Sequence, residues 1–212
     1  PVTFPNILVN PNQGVAVGMA TNICSFNLTE ICNTTIELLK NKDHDILMTL
    51  TAPDFPSGAQ LIYDAAALRN IYETGSGSFR LRAKYRYDKK GNCIEVYEIP
   101  YNTTIEACQD KIEELVKLGK IKEISYMRDE TDINGLKLTI DLKRGVNPDL
   151  LMQKLYKMTP LESSFSCNFN ILVGYSPKVM GVREILNEWI AFRTECIRRA
   201  TFYDIGKKKD YL

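Results

Sequence analysis

The chain has 212 residues, of which 44% are hydrophobic and 25% are charged, a composition that excludes an intrinsically disordered protein. Its 27 basic residues are balanced by 26 acidic ones, so the chain has no global positive field that would attract a polyanion. No window holds the eighteen or more uninterrupted apolar residues of a membrane span, and we expect a cytoplasmic protein without membrane contact.

Metal and thiol chemistry find little support in the sequence. The six cysteines are scattered without a Cys-x-x-Cys pair, and the chain has one histidine, His44. We interpret the cysteines as reduced cytosolic thiols and predict no metal site. The acidic residues from Glu130 to Asp141 imitate an EF-hand loop, but they lie between two strand patterns, so we predict a hairpin turn there.

Residues 1–26 alternate short apolar runs with Pro, Asn and Gly, which predicts short strands and tight turns. The run from Gly14 to Ile23 is apolar, contains two glycines and ends on the polar pair Thr21 and Asn22 before the isoleucine. Its spacing alone indicates a buried strand that ends at a turn. A helix with a cap at Asn27 or Thr29 is predicted to follow.

The segment from Phe79 to Tyr87 alternates strictly between apolar and cationic side chains, which predicts one strand with an apolar and a cationic face. We name Arg80, Arg82, Lys84 and Arg86 the cationic face. Such a row can follow a DNA backbone, because each neutralised phosphate releases condensed counterions. A solvated sheet face is the alternative that spacing alone leaves open.

From Cys93 onward the order of the predicted elements indicates an α+β fold. Strand and helix patterns follow one another as β-α-β-β-α-β through Val173, the split βαβ arrangement, in which both helices pack on one face of a mixed sheet. Asn147 and Pro148 suit the cap and the first turn of the second helix. A last helix pattern begins at Val182, and we interpret it as the start of a longer helix.

Several blocks spread over almost the whole chain resemble the DNA-cleaving A subunit of bacterial type II topoisomerases, the gyrase and topoisomerase IV family. The most specific block is Gly18-Met19-Ala20-Thr21-Asn22-Ile23. The weaker blocks are Phe4–Asn10, Pro53–Gly58, Glu98–Tyr101, Arg128–Asp132, Leu142–Arg144 and Ser164-Phe165 with Asn168. The resemblance implies that residues 1–180 are the tower domain, which holds the gate DNA, and that residues 181–212 begin a long coiled-coil arm.

By this resemblance Ile23 inserts between base pairs, where an apolar wedge unstacks one step and bends the duplex. Thr21 and Asn22 would contact the flanking phosphates, and the cationic face, with Arg80, Arg82 and Lys84, would follow the DNA backbone.

The sequence departs from the family's pattern at three places. Cys24 follows Ile23 where many relatives have proline. Ser76 and Ser78 replace basic residues in one loop, and Asn102-Thr103-Thr104 replaces a stretch that commonly includes lysine. The phosphate contacts that the family makes from these two loops are therefore not carried over to this chain.

The function implied by the resemblance is that of an ATP-dependent type II topoisomerase, which cleaves both strands of DNA and passes a second duplex through the break. The family's catalytic tyrosine lies upstream of the segment that matches Phe4–Val9. We therefore place no catalytic residue in this chain and expect it to be inactive alone.

The resemblance also implies the partners and cofactors. Double-stranded DNA would be bound by a homodimer formed from two copies of the complete protein at the bacterial nucleoid. Mg²⁺ and ATP would enter through a B-type partner subunit with metal-binding and ATPase domains. The alternative function is a non-enzymatic protein-assembly module built on the split βαβ sheet.

Overall fold

A computed structural model describes the backbone of residues 2–210 and the side chains of residues 2–209. The remaining residues of the predicted segments 1–180 and 181–212, namely Pro1, Tyr211 and Leu212, lie outside the described residues. The described helices are α1 (Asn6–Val9), α2 (Leu28–Lys40), α3 (Ala65–Thr74), α4 (Ile105–Lys117), α5 (Pro148–Met158) and α6 (Val182–Asp210), with a 3₁₀ turn at Ile46–Met48.

The described strands complete the α+β class that the sequence predicts. They are β1 (Asn12–Ala16), β2 (Met19–Ile23), β3 (Gln60–Ile62), β4 (Ser76–Arg82), β5 (Lys84–Asp88), β6 (Cys93–Glu98), β7 (Ile124–Asp129), β8 (Leu138–Leu142), β9 (Glu162–Asn168), β10 (Asn170–Val173) and β11 (Ser176–Val179). The succession of strands and helices from β6 to β9 follows the predicted order.

The chain folds into two compact units. The described part of the first unit consists of residues 2–54, 65–77 and 166–210, and the second consists of residues 55–64 and 78–165. The boundary that the sequence predicts between residues 180 and 181 stays a prediction. None of the described helices has the length and hydropathy to cross a membrane.

An antiparallel hairpin, β1–β2, is the leading feature of the first unit. Asn12 lies opposite Ile23 at its base and Ala16 lies opposite Met19 near its tip. Gly18 has a φ of +78° in the turn, a backbone conformation that costs glycine little. Strand β2 pairs in turn with the end of β9, and β10 and β11 form a second antiparallel hairpin.

Helices α2 and α6 bury apolar residues in the same unit. The side chain of Asn27 caps α2 by accepting hydrogen bonds from the backbone N–H groups of Thr29 and Glu30 at 2.9 and 3.4 Å. Of the two predicted caps, Asn27 directly precedes α2 with an extended backbone, whereas Thr29 lies inside the helix. The predicted turns are present, and the short helix α1 is an addition that the sequence pattern did not show.

Helix α6 begins at a contact that only glycine allows. A Cβ atom on Gly181 would lie 2.3 Å from the carbonyl oxygen of Glu73 and 2.5 Å from that of Tyr72, both in α3. A Cβ atom on Gly75, just beyond α3, would lie 2.2 Å from the carbonyl oxygen of Met180. The two glycines therefore let the backbone at the start of α6 touch the end of α3.

The second unit contains an antiparallel sheet with the strand order β5-β6-β8-β7. Strands β6 and β7 run in the same direction with β8 between them, and α4 connects them, so the first part of the predicted split βαβ arrangement is confirmed. Helices α4 and α5 bury one face each in a common core with this sheet. The core members from the two helices are Ile105, Cys108, Ile112, Leu115, Leu151, Met152 and Leu155.

The other neighbour of β6 is β5, and β9 lies outside this sheet. Within the second unit β9 pairs with β4, and β4 pairs with β3. The cause is an aromatic cluster, because the ring of Phe165 in β9 stacks on Phe79 of β4 at 5.4 Å and contacts Phe55 at 5.0 Å. The predicted strand Phe165–Val173 is also divided, into β9 and β10.

The single strand predicted from Phe79 to Tyr87 is likewise two strands, β4 and β5. They meet at Ala83, which is fully buried and donates its N–H to the carbonyl oxygen of Leu161 at 2.7 Å. The alternation itself is confirmed for Phe79, Leu81 and Ala83, which face the interior. The cationic face is therefore shared by two strands with different neighbours.

Candidate nucleic-acid interface

The free end of the β1–β2 hairpin carries exposed apolar side chains. Val15 is 86% exposed, Val17 is fully exposed and Met19 is 41% exposed. Three such side chains around one tight turn hold surface that gains free energy when it leaves water. The hairpin tip, which we define as Val15, Val17 and Met19, is thus suited to insertion into an apolar setting.

Ile23 lies at the opposite end of the hairpin and is buried. It is 2% exposed, it faces Asn12 in the last pair of the hairpin, and it precedes the fully buried Cys24. The structure therefore buries Ile23 at the base of the hairpin, whereas a wedge suggests an exposed position. Its predicted insertion between base pairs stays a prediction.

Val15 and Val17 are exposed apolar side chains of the hairpin tip that reasoning from the sequence did not single out. Alternating apolar residues show which side of a strand is apolar, but they do not show which end is free. Gly18 was the available signal, because a glycine between two apolar strands marks the turn and hence the tip.

Thr21 and Asn22 connect β2 to its neighbour. The hydroxyl of Thr21 donates to the carbonyl oxygen of Asn168 at 3.4 Å, and the amide of Asn22 donates to that of Ser166 at 2.6 Å. Both residues are half-buried. Their predicted phosphate contacts stay predictions, and in the structure their polar groups anchor the hairpin.

Two further amides hold the hairpin nearer its tip. The side chains of Asn168 and Asn170 both donate to the carbonyl oxygen of Ala20, at 2.9 and 3.3 Å. Each such bond contributes about 1 kcal/mol. An open apolar groove of about 290 Å³ separates this hairpin from the β10–β11 hairpin, with Val15 and Met19 on one side and Leu172 on the other. The part of β2 below the hairpin tip is thus held by several side-chain hydrogen bonds.

The cationic face is compensated by carboxylates. Arg80 donates from Nη1 to Oε1 of Glu162 at 3.0 Å, and Arg82 donates from Nε to Oε2 of the same carboxylate at 2.8 Å. Lys84 lies 2.8 Å from Oε2 of Glu98. The structure therefore brings Arg80 and Arg82 together around one acid and gives Lys84 another.

Arg86, the last member of the cationic face, donates to Glu95, which also accepts from Lys137 at 3.0 Å. The hydrogen bonds from Arg86 and then from Lys137 lower the pKa of Glu95. The same contact with Glu95 raises the pKa of Arg86. This end of the face is consequently fully ionised at neutral pH.

The described residues offer no group of three or more His, Cys, Asp or Glu side chains that would hold a metal ion. The acidic segment after Glu130 is the predicted hairpin turn, since β7 and β8 pair antiparallel on either side of it. All six cysteines are free thiols. The sulfurs of Cys24 and Cys167 are 3.8 Å apart, and burial raises the pKa of the Cys24 thiol well above its ordinary value.

Comparison with known proteins places this α+β chain in one class. A family model that describes the A subunit of DNA gyrase/topoisomerase IV matches residues 1–212. The chain therefore belongs to the family of DNA gyrase and topoisomerase IV A subunits, and the resemblance seen in the sequence is confirmed.

Individual relatives agree with this assignment. The chain is 36% identical over 216 residues to the DNA gyrase A subunit of Granulibacter bethesdensis, an alignment that covers 99% of this chain and 23% of the relative. It is 38% identical over 216 residues to the DNA gyrase A subunit of Ureaplasma parvum, covering 99% and 26%. For the same protein of Halalkalibacterium halodurans the identity is 39% over 212 residues, covering 98% and 25%. The chain spans about a quarter of the length of these relatives.

Proposed function

We propose that this chain is the gate-DNA-binding and DNA-bending tower region of the A subunit of an ATP-dependent type II topoisomerase. Membership of the family supports the enzyme class. The single observation that carries the DNA-bending role is the hairpin tip, where Val15 and Val17 are exposed although the base of the same hairpin is buried.

The physics of bending suits this geometry. An apolar side chain that enters a base step costs a few kcal/mol of stacking, and the bent duplex recovers this cost through further contacts with protein. The hairpin must keep its conformation while its side chains unstack the bases. The bonds from Thr21, Asn22, Asn168 and Asn170 fix the hairpin from base to tip and supply this rigidity.

Bending also selects sequence by deformability instead of by hydrogen bonds to base edges. The tip carries no polar side chain that would read a base, since Val15, Val17 and Met19 are all apolar. An enzyme that acts at many sites on a chromosome needs this tolerance. The proposed wedge therefore binds where the duplex kinks readily.

The complete reaction draws on parts outside this chain. The nucleophilic tyrosine belongs upstream in the complete protein, which works as a homodimer. A B-type partner subunit contributes the carboxylates that hold Mg²⁺ for phosphoryl transfer, and it also contributes the ATPase. The residues of this chain bind and bend the DNA and are inactive alone.

The test replaces Val15 and Val17 together by serine in the complete subunit. Both side chains are exposed, so the free energy of unfolding should change by no more than about 0.5 kcal/mol. Energy transfer between dyes at the two ends of a duplex should report reduced bending, and cleavage should fall with it.

The matched control is Ile133→Ser, because Ile133 is 98% exposed in the turn between β7 and β8. This variant loses an exposed apolar side chain elsewhere and should bend DNA normally. A Val15, Val17 double variant that bends DNA as well as this control would contradict the wedge.

The alternative function, protein assembly, is favoured by one observation. Helix α6 exposes Phe192 and Phe202, at 54% and 80%, on a surface that a second helix would cover. DNA affinity of the complete subunit should fall steeply with salt if the proposed function holds. Affinity without salt dependence would favour assembly alone.

A further inference from the structure

Glu162 occupies a central position among the arginines of the cationic face. It begins strand β9, and its side chain is only 12% exposed. One carboxylate oxygen accepts from Arg80 at 3.0 Å, and the other accepts from Nε and Nη2 of Arg82 at 2.8 and 2.7 Å. A single acid thus binds two neighbouring cations on the same strand face.

Its surroundings hold this carboxylate in place. The backbone just before it is fixed, because the carbonyl oxygen of Leu161 accepts from the N–H of Ala83 at 2.7 Å. The guanidinium of Arg82 lies 4.5 Å from the ring centre of Tyr156, whose hydroxyl donates to the carbonyl oxygen of Ala83 at 2.7 Å. These contacts fix the backbone just before Glu162 and the guanidinium that its carboxylate binds.

The charges in this group decide what a phosphate would meet. Two guanidinium groups and one carboxylate leave a formal excess of one positive charge, whereas Lys84 and Glu98 cancel. A DNA phosphate that approaches Arg80 or Arg82 must compete with a carboxylate already bound there, and that carboxylate repels it. Arg80, at 62% exposure, still presents donors to solvent.

We infer that Glu162 limits the number of DNA phosphates that the cationic face neutralises and so sets how tightly the protein holds DNA. This inference rests on the proposed function. Glu162 tunes the strength of the DNA contact: it keeps Arg80 and Arg82 aligned and cancels one of their two charges. The result is a weaker hold on DNA than two uncompensated arginines would give.

The experiment is Glu162→Gln in the complete subunit, with DNA affinity measured over a range of salt concentrations. Glutamine keeps the length of the side chain and an oxygen acceptor for the arginines but removes the charge. The plot of log affinity against log salt should become steeper by about 0.9, the contribution of one more neutralised phosphate. Affinity at low salt should rise on the order of fivefold.

Two companion variants make the result specific. Glu123→Gln removes the same charge from an ion pair with Lys154 at 3.0 Å, outside the cationic face, and should leave the slope unchanged. Arg80→Gln should make the slope shallower by about 0.9. A purely structural role of Glu162 would change the melting temperature without changing the slope.

The outcomes separate this inference from the proposed function. A Glu162→Gln protein that has the wild-type slope, while the Val15, Val17 double variant loses DNA bending, overturns the inference and leaves the proposed function standing. Binding of duplex DNA without any salt dependence overturns both.

Discussion

Val15 and Ile23 belong to one hairpin and differ in their solvent exposure. Val15 is exposed at the tip, and Ile23 is buried at the base. The free energy of folding depends on the buried one, because an exposed side chain removes no apolar surface from water when the chain folds. Residues of the same chemical type therefore divide between the surface and the core.

Ile23→Ala should consequently destabilise the fold by about 2–5 kcal/mol, the usual effect of deleting a buried isoleucine side chain and leaving a cavity. Urea unfolding followed by circular dichroism measures this change. Val15→Ala is the matched control and should stay within about 0.5 kcal/mol of the wild type. Equal stabilities for the two variants would show that Ile23 is not a core residue.

The sequence contained some of the candidate residues. It singled out the apolar, glycine-containing run from Gly14 to Ile23, and it separately selected Arg80 and Arg82 by their alternation. It could not show that Glu162 lies between these arginines, because that contact joins residues about eighty positions apart. It could not distinguish tip from base either, since strand periodicity repeats along the whole length.

Among the elements, the β7–β8 pair contains a group of close polar contacts around one carboxylate. Lys137 lies 2.9 Å from Oε2 of Glu130, and the hydroxyl of Thr139 donates to the same oxygen at 2.9 Å. These two hydrogen bonds lower the pKa of Glu130 from 4.5 to about 2. The charged form of Glu130 is thus favoured by the folded sheet.

This shift predicts the direction of a pH effect. A carboxylate whose pKa is lower in the folded state contributes stability above its unfolded pKa and loses it as the pH falls through the folded pKa. Thermal unfolding should therefore show stability lost between about pH 4.5 and pH 2. In Glu130→Gln this loss should be smaller.

Glu113→Gln provides the control, because it removes a carboxylate from the surface of α4 while leaving the β7–β8 pair intact. If both variants lost stability with acid in the same way as the wild type, Glu130 would not contribute to the acid response.

The elements that the sequence predicted best are those with local determinants. Helix α5 has the predicted bounds, since Asn147 caps it through hydrogen bonds from the N–H groups of Asp149 and Leu150 and Pro148 starts its first turn. The neighbours of strand β9 have no such local signal, because β9 pairs with β4, where the ring of Phe165 stacks on Phe79. Capping acts over three residues, whereas that ring contact joins distant segments.

For the whole molecule, the near-zero net charge has a consequence for DNA binding. With 27 basic and 26 acidic residues, attraction to a polyanion depends on local groups such as the cationic face. The family was recognisable because its sequence blocks extend along the chain, and the match covers residues 1–212. Which side chains meet DNA depends on exposure and pairing, and these exist only in the folded chain.

The reactivity of the thiols tests the prediction that the cysteines of the whole molecule are free. Six free cysteines predict that six thiols per chain react with a disulfide reagent in denaturant without prior reduction. Fewer should react in the native protein, because Cys24, Cys93, Cys108 and Cys167 are buried. Adding a reductant should leave the melting temperature unchanged. Fewer than six reactive thiols in denaturant would indicate a disulfide.

The glycine contact at the start of α6 fixes one end of a long helix. Its 29 residues extend over about 43 Å, and its root rests on the α3 carbonyl oxygens that Gly181 approaches. A rotation of about 5° at that root would displace the far end by about 4 Å. The close contact at Gly181 therefore sets the direction of α6, and a small difference in angle there would become a large difference in position at Lys209.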